Sequence, residues 1–178
     1  MREKVSEINI IDFIIKINDE ELFNEENKIS ELQKEVNKIS ELQKEENKIS
    51  ELQMHKILYI IYGNFYAKFE KELFKNANFE AWRYGPVEVD FRKYFNSNIK
   101  INKKLESSIY NKFNAELKTE EKNFLFKIIR KALRFSPWSL VQFTHDTDPW
   151  LKNFDENKNN IPIPSREIQE WFKNNQLD

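Results

Sequence analysis

Few residues of this chain could do chemistry. It has two histidines and no cysteine, which excludes disulfides, thiolate metal sites and a cysteine nucleophile. His145 lies in the segment THDTDPW, where Asp146 or Asp148 could orient its imidazole as a general base. A hydrogen bond between His145 and Asp148 that only shapes a corner between two helices explains the same residues more simply. We therefore predict no catalytic residues, no cofactor and no metal site, because two isolated histidines cannot supply a usual zinc ligand set.

A basic stripe is the second candidate. It contains Lys127, Arg130, Lys131 and Arg134 at positions i, i+3, i+4 and i+7 of a predicted helix. Such a stripe could contact phosphate groups, but it also suits the solvent-exposed face of an amphipathic helix. The net charge of −1 gives no overall attraction for nucleic acid. We predict neither a nucleic-acid partner nor a membrane partner, since no apolar run reaches the roughly 18 residues that span a bilayer.

Aromatic residues at predicted element boundaries are the third candidate. Trp82, Tyr84, Trp138 and Trp150 all lie close to glycine or proline. Tryptophan and tyrosine are enriched at the energetic centres of protein interfaces, but they also fill cores between helices. A small-ligand or enzyme site that combines Trp82 with His145 and Asp148 is the alternative use of the same region.

A ten-residue sequence occurs three times in tandem, at 27–36, 37–46 and 47–56. Each copy contains Ser-Glu-Leu-Gln, a capping box typical of a helix start. The apolar stripe would rotate by about 80° per copy, which disfavours a regular coiled coil. Only the third copy, with Ser50 and Gln53, continues into a long apolar segment. We predict that the copies before it form a helical extension, either a partner-specific arm or a neutral duplication in a loop.

The chain reads as mainly α-helical, because two glycines and five prolines provide little material for hairpin turns. Gly63, inside a predicted helix, suggests close packing of another side chain. The extended segments 79–83 and 161–163 could pair as a two-stranded β ribbon. The short apolar N-terminal stretch is interrupted by acids, so we expect no signal peptide and a cytoplasmic protein. Helices are predicted at 7–18, 51–75, 86–94, 105–115, 119–134 and 165–175. Two further short helices are predicted, with Ser136 and Asp148 as their N-caps and Pro137 and Pro149 as their first residues.

Four segments together resemble a known family. LQMHKILY at 52–59 is similar to the LKLQKLLY helix of the Panacea (SocA-like) domain of phage-associated and toxin–antitoxin proteins. FEAWRYGPV at 79–87 resembles its EAWxYGPV segment. The residues SPWSL, TH and PW between 136 and 150 resemble a third motif, and 161–172 resembles the closing helix. The repeats lie outside the family pattern, and Met54-His55 replaces its usual Leu-Gln.

The resemblance implies one compact multi-helix domain over 1–178, with 25–46 as a tandem-repeat insertion. It implies an antitoxin without enzymatic activity that neutralises a protein toxin by direct binding, the toxin being encoded by a neighbouring gene. In at least one lineage such a domain delivers the toxin to an ATP-dependent protease. The residues that carry the signature, as partner-binding or structural positions, are Trp82, Tyr84, Gly85, Pro86, Trp138, Thr144, His145, Pro149 and Trp150.

Overall fold

The computed structural model describes residues 10, 11, 13–20, 49–74, 76–97 and 117–176. The predicted repeat extension at 25–46 and the predicted helix at 105–115 lie outside these residues. Within them the chain forms seven helices and one small antiparallel sheet. None of these helices combines the length and the apolar character that a bilayer span requires.

The central element is α2, Glu51–Phe69. It begins where the third repeat copy predicts, because the Ser50 side chain accepts a hydrogen bond from the Gln53 backbone N–H at 3.2 Å. It ends earlier than the predicted residue 75, since Glu70 adopts a left-handed conformation with φ 52°. Every residue from 54 to 65 is buried, so α2 is surrounded by the other elements. Helix α1, the helical residues 10, 11 and 13–20, adds five buried apolar side chains to the core, those of Ile10, Ile11, Phe13, Ile14 and Ile17.

The sheet contains β1 (Phe79–Trp82), β2 (Gly85–Glu88) and β3 (Ile161–Pro162) in the order β2-β1-β3. Strand β1 pairs with β3 through Glu80 and Ala81, the partners of the predicted ribbon. Strand β2 was not predicted. The sheet therefore has three strands, one more than the predicted two-stranded ribbon. Pro86 of β2 pairs with Ala81 of β1. The proline is compatible with this place because β2 is an edge strand.

The prediction that Pro86 opens a helix is wrong. Helix α3, Val89–Ser97, begins three residues later. The Glu88 carboxylate accepts a hydrogen bond from the Phe91 backbone N–H at 2.6 Å, which satisfies one of the free donors at the helix start. The Gly85-Pro86 pair instead continues out of a tight turn into β2.

Four more helices complete the described chain: α4 (Thr119–Leu133), α5 (Pro137–His145), α6 (Asp148–Asn153) and α7 (Ser165–Asn174). Ser136 caps α5 as predicted, accepting from the Ser139 N–H at 3.1 Å. The prediction for α6 is off by one residue, since Thr147 occupies the cap position and Asp148 is the first helical residue.

The core forms where α7 packs on α2. A side chain added at Gly63 would overlap the Phe172 ring, so the close packing predicted at this glycine is present. The same ring lies edge-on to Tyr59, with the ring centroids 5.7 Å apart. The Tyr59 ring in turn contacts the ring of Phe79 in β1, with the ring centroids 5.5 Å apart. Helix, sheet and last helix therefore share one aromatic core.

Candidate functional site

The turn between β1 and β2 carries an exposed part of the signature. Trp82 pairs with Gly85, which leaves Arg83 and Tyr84 as a two-residue connection. Both side chains are exposed, that of Tyr84 by 55%. Gly85 has φ +90°, a conformation that glycine adopts without strain. The turn therefore directs a cation and an aromatic ring outwards.

Three helices hold the two ends of this turn. Trp150 of α6 donates its indole N–H to the Trp82 carbonyl oxygen at 2.9 Å. Lys56 of α2 donates from Nζ to the Pro86 carbonyl oxygen at 2.9 Å. Gly85 packs so closely on α5 that an added Cβ would lie 2.8 Å from Thr144 Oγ1. We call Lys56, Thr144 and Trp150 the supporting residues, because together they fix the backbone on both sides of Arg83 and Tyr84.

Lys56 is the least expected of these residues. Its side chain is fully buried, and burial lowers its pKa from the ordinary 10.5 to about 7. A buried amine without a carboxylate partner loses much of its preference for the charged form. The residue was not singled out from the sequence, although Leu52, Lys56 and Tyr59 share the helical spacing of an inward face. That spacing is the signal by which it could have been found.

Thr144 fixes the end of α5. Its hydroxyl donates to the carbonyl oxygens of Leu140 and Val141, each at 3.0 Å. The Thr147 hydroxyl bonds to the Thr144 carbonyl oxygen at 2.8 Å and lies 3.0 Å from the Tyr59 hydroxyl of α2. These bonds join the corner between α5 and α6 to the central helix.

His145 lies flat on Trp150, with the ring centroids 4.0 Å apart and the planes 5° from parallel. Burial lowers its pKa, the charge of Lys56 lowers it further, and Asp146 partly opposes both effects. His145 is therefore mostly neutral at pH 7 and stacks as a flat ring. The predicted hydrogen bond between His145 and Asp148 is not formed. The Asp148 carboxylate instead accepts a hydrogen bond from Lys152 Nζ at 3.3 Å on the surface.

A second buried polar group joins α2 to the end of β2. His55 Nδ1 accepts from the Glu88 backbone N–H at 3.3 Å. Burial, with smaller effects from Lys56 and Arg92, lowers the His55 pKa to about 3. Burial also raises the pKa of Glu88. The backbone N–H groups of Phe91 and Asn78 donate to its carboxylate and act in the opposite direction, lowering the pKa. Glu88 was missed because its role depends on a strand that the sequence did not reveal.

The exposed counterpart of these buried groups is a pair of aromatic rings. Trp138, near the start of α5, is 63% exposed. Its ring lies edge-on to that of Tyr84, with centroids 6.2 Å apart and planes at 71°. We call Tyr84 and Trp138 the aromatic pair. Two large exposed rings in contact with each other, on a rigid support, are typical of the centre of a protein interface.

The other signature residues belong mainly to the support. Pro86 and Pro149 are buried. Trp82 is half-buried on the outer face of the sheet, where its indole N–H donates to Glu80 at 2.8 Å and the Arg92 guanidinium lies 4.4 Å from its ring centroid. The structure thus brings the nine signature positions into one region but gives them different environments.

The alternative sites are less well supported by the geometry. One surface cleft of about 650 Å³ contains Trp82, and another of about 440 Å³ contains Asp148. His145 lines neither of these two clefts, and Trp82 and Asp148 line different ones. No group of three potential metal ligands occurs among the residues that the structure describes.

The basic stripe is also interrupted. Lys127 and Arg134 are exposed, while Arg130 and Lys131 are half-buried. The Arg130 guanidinium lies 4.0 Å from the centroid of the Phe126 ring, where it covers an apolar surface. The four cations therefore do not form one continuous exposed surface for phosphate.

Comparison with known proteins gives one match. The family described as "Antitoxin SocA-like, Panacea domain" matches residues 54–151, which include most of α2, the β1–β2 turn, α5 and most of α6. Neither the curated proteins nor the solved structures contain a significant match. The matched region covers more than half of the 178 residues and holds the aromatic pair together with its support. The chain belongs to the SocA-like antitoxin family of Panacea-domain proteins.

Proposed function

We propose that this protein neutralises a protein toxin by direct contact through the aromatic pair, Tyr84 and Trp138. Membership of an antitoxin family supports the general role and a protein toxin as partner. The contact surface is supported by one observation: two large aromatic side chains of the signature are 55% and 63% exposed and touch each other. Burying such rings against a partner would contribute strongly to affinity, because aromatic residues dominate interface energetics.

The support beneath the pair fits this role. The turn is fixed at Trp82 and Pro86 by hydrogen bonds of 2.9 Å from Trp150 and Lys56. A fixed turn loses little conformational freedom when the toxin binds, which favours affinity. A complex of standard size would bury roughly 1,200–2,000 Å² in total, so neighbouring parts of α5 and the turn would also be covered.

The test is a growth assay. The neighbouring gene is expressed in a heterologous bacterium with and without this protein, and rescue from growth arrest is scored. We expect wild-type rescue, and loss of rescue with Tyr84→Ala and Trp138→Ala. Purified variants should bind the toxin at least tenfold more weakly and unfold at the wild-type temperature. Leu151→Ala is the matched control, because Leu151 is an apolar residue exposed by 55% and is not part of the pair.

Two results would refute the proposal. If the neighbouring product arrests growth but wild-type protein neither binds it nor rescues, direct neutralisation of that product is wrong. If both alanine variants bind as tightly as wild type, the aromatic pair is not the contact surface. Toxin abundance, followed by immunoblot, then separates the two modes of action: a protease-dependent fall indicates delivery for degradation, and a constant level indicates sequestration.

A further inference from the structure

We infer that the toxin surface recognised by the aromatic pair is an apolar residue bordered by carboxylates, selected through Arg83 and Arg134. This inference rests on the proposed function and adds the chemistry of the partner's surface. It comes from the charges that border Tyr84 and Trp138 rather than from the rings themselves.

Both arginines are close to the aromatic pair along the sequence. Arg83 precedes Tyr84 in the turn and is exposed. Arg134 is the residue that ends α4 and is also exposed. It lies four residues before Trp138, so the two Cα atoms are at most about 14 Å apart. Arginine side chains are long and flexible, so charges at these two positions can act on groups bound at the pair over the roughly 8–10 Å that exposed charges reach at moderate ionic strength.

The charge of these arginines is not neutralised by the described part of the chain. Lys93, Lys152, Arg166 and Lys173 each lie 2.9–3.3 Å from a carboxylate oxygen. Within residues 49–74, 76–97 and 117–176, Arg83 and Arg134 make no ion pair of this kind. An exposed cation without an internal partner remains available to a carboxylate of another molecule.

Among the described acidic residues, Asp155 and Glu156 line the same surface cleft as Arg83, and Asp155 pairs with Lys158 at 3.4 Å. Asp146 lies at the opposite end of α5, about 12 Å along the helix from Trp138. The Glu80 carboxylate accepts a hydrogen bond from the Trp82 indole at 2.8 Å. Arg83 and Arg134 thus contribute exposed positive charge beside the pair, although the whole chain carries a net charge of −1.

These features favour a protein partner. Tryptophan, tyrosine and arginine are the three residue types most enriched at protein hot spots. Complementary charge at the border of an interface accelerates association and excludes partners of the wrong sign. Nucleic acid is the other polyanion that aromatic rings and arginines bind. The basic stripe that would extend such a surface is interrupted at Arg130, which covers Phe126, and this disfavours RNA.

The experiment measures association and dissociation rates between purified toxin and immobilised protein at 50 and 300 mM salt. The variants are Arg83→Glu and Arg134→Glu, and the control is Lys122→Glu. Lys122 lies on α4 about 18 Å along the helix axis from Arg134, so it receives the same charge change away from the pair. All variants are first shown to have the wild-type melting temperature.

We expect both arginine variants to associate about tenfold more slowly than wild type at 50 mM salt, with a smaller difference at 300 mM. The control should stay within twofold. Unchanged association of both arginine variants with a toxin that wild type binds would overturn the inference and leave the proposed function intact. If the wild-type protein does not bind the toxin, both the inference and the proposed function are refuted. A single-stranded RNA that competes with the toxin, and whose own binding requires both arginines, would also overturn it.

Discussion

Two regions of this molecule contain residues of one sequence signature and have opposite environments. The supporting residues lie inside the domain, where Lys56 and Thr144 are fully buried and Trp150 is 6% exposed. The aromatic pair lies outside, with more than half of each side chain accessible. A motif such as Trp-Arg-Tyr-Gly-Pro gives both kinds of residue the same weight. The difference shows that the other signature residues are buried or half-buried around a turn, while Tyr84 and Trp138 are exposed.

The largest effect should come from Trp150→Ala. It removes a buried indole that stacks on His145 and Phe154 and donates to the Trp82 carbonyl. We expect the free energy of unfolding to fall by about 3–5 kcal/mol, as measured by urea denaturation with circular dichroism. Trp138→Ala, the matched control, should stay within about 0.5 kcal/mol of wild type. Equal losses for the two tryptophans would contradict the division between support and exposed pair.

A smaller loss is expected for Gly85→Ala. The alanine would have to adopt φ +90°, and its Cβ would lie 2.8 Å from Thr144 Oγ1. Strain of this kind costs about 1–3 kcal/mol, which thermal unfolding would detect as a lower melting temperature. Arg83→Ala, in the exposed turn two residues earlier, serves as the control and should unfold like wild type. A Gly85→Ala variant with wild-type stability would show that the turn is not held as tightly as its contacts indicate.

The mildest test uses pH and Lys56→Met. The folded-state pKa of Lys56 is lowered to about 7, so the unfolded chain binds more protons between pH 7 and the ordinary lysine value of about 10.4. Stability then rises with pH across that window and is flat below it. Relative to Lys56→Met, wild type should gain at most about 1.4 kcal/mol per pH unit, measured by urea unfolding at pH 7, 8 and 9. Parallel pH curves for the two proteins would mean that the buried amine keeps its proton on folding.

Local signals in the sequence were sufficient for the starts of α2 and α5. Ser50 and Ser136 cap α2 and α5 as their neighbours predict, because capping depends only on residues within one turn. The close contact at Gly63 was also foreseen, although its partner, Phe172, lies more than a hundred residues away and could not be named.

Other features were determined by tertiary contacts and were missed. Gly85-Pro86 resembles a helix start when read alone, but pairing with β1 and the bond from Lys56 to Pro86 draw the segment into a strand. The environments of Trp138 and Trp150 likewise could not be separated from sequence. Each lies at or near the start of a short helix that contains a proline, and only the position of α2 and the turn decides which indole is covered.

The contact between Phe172 and Gly63 also has a consequence for synthesis. The last helix reaches back to α2 across 103 residues, from Gln169 to the Tyr66 carbonyl oxygen. The ribosome must therefore translate nearly the whole described chain before the core can close, and long-range closure of this kind slows folding. Until α7 has been made, Phe172 cannot pack against Gly63 and the core stays incomplete.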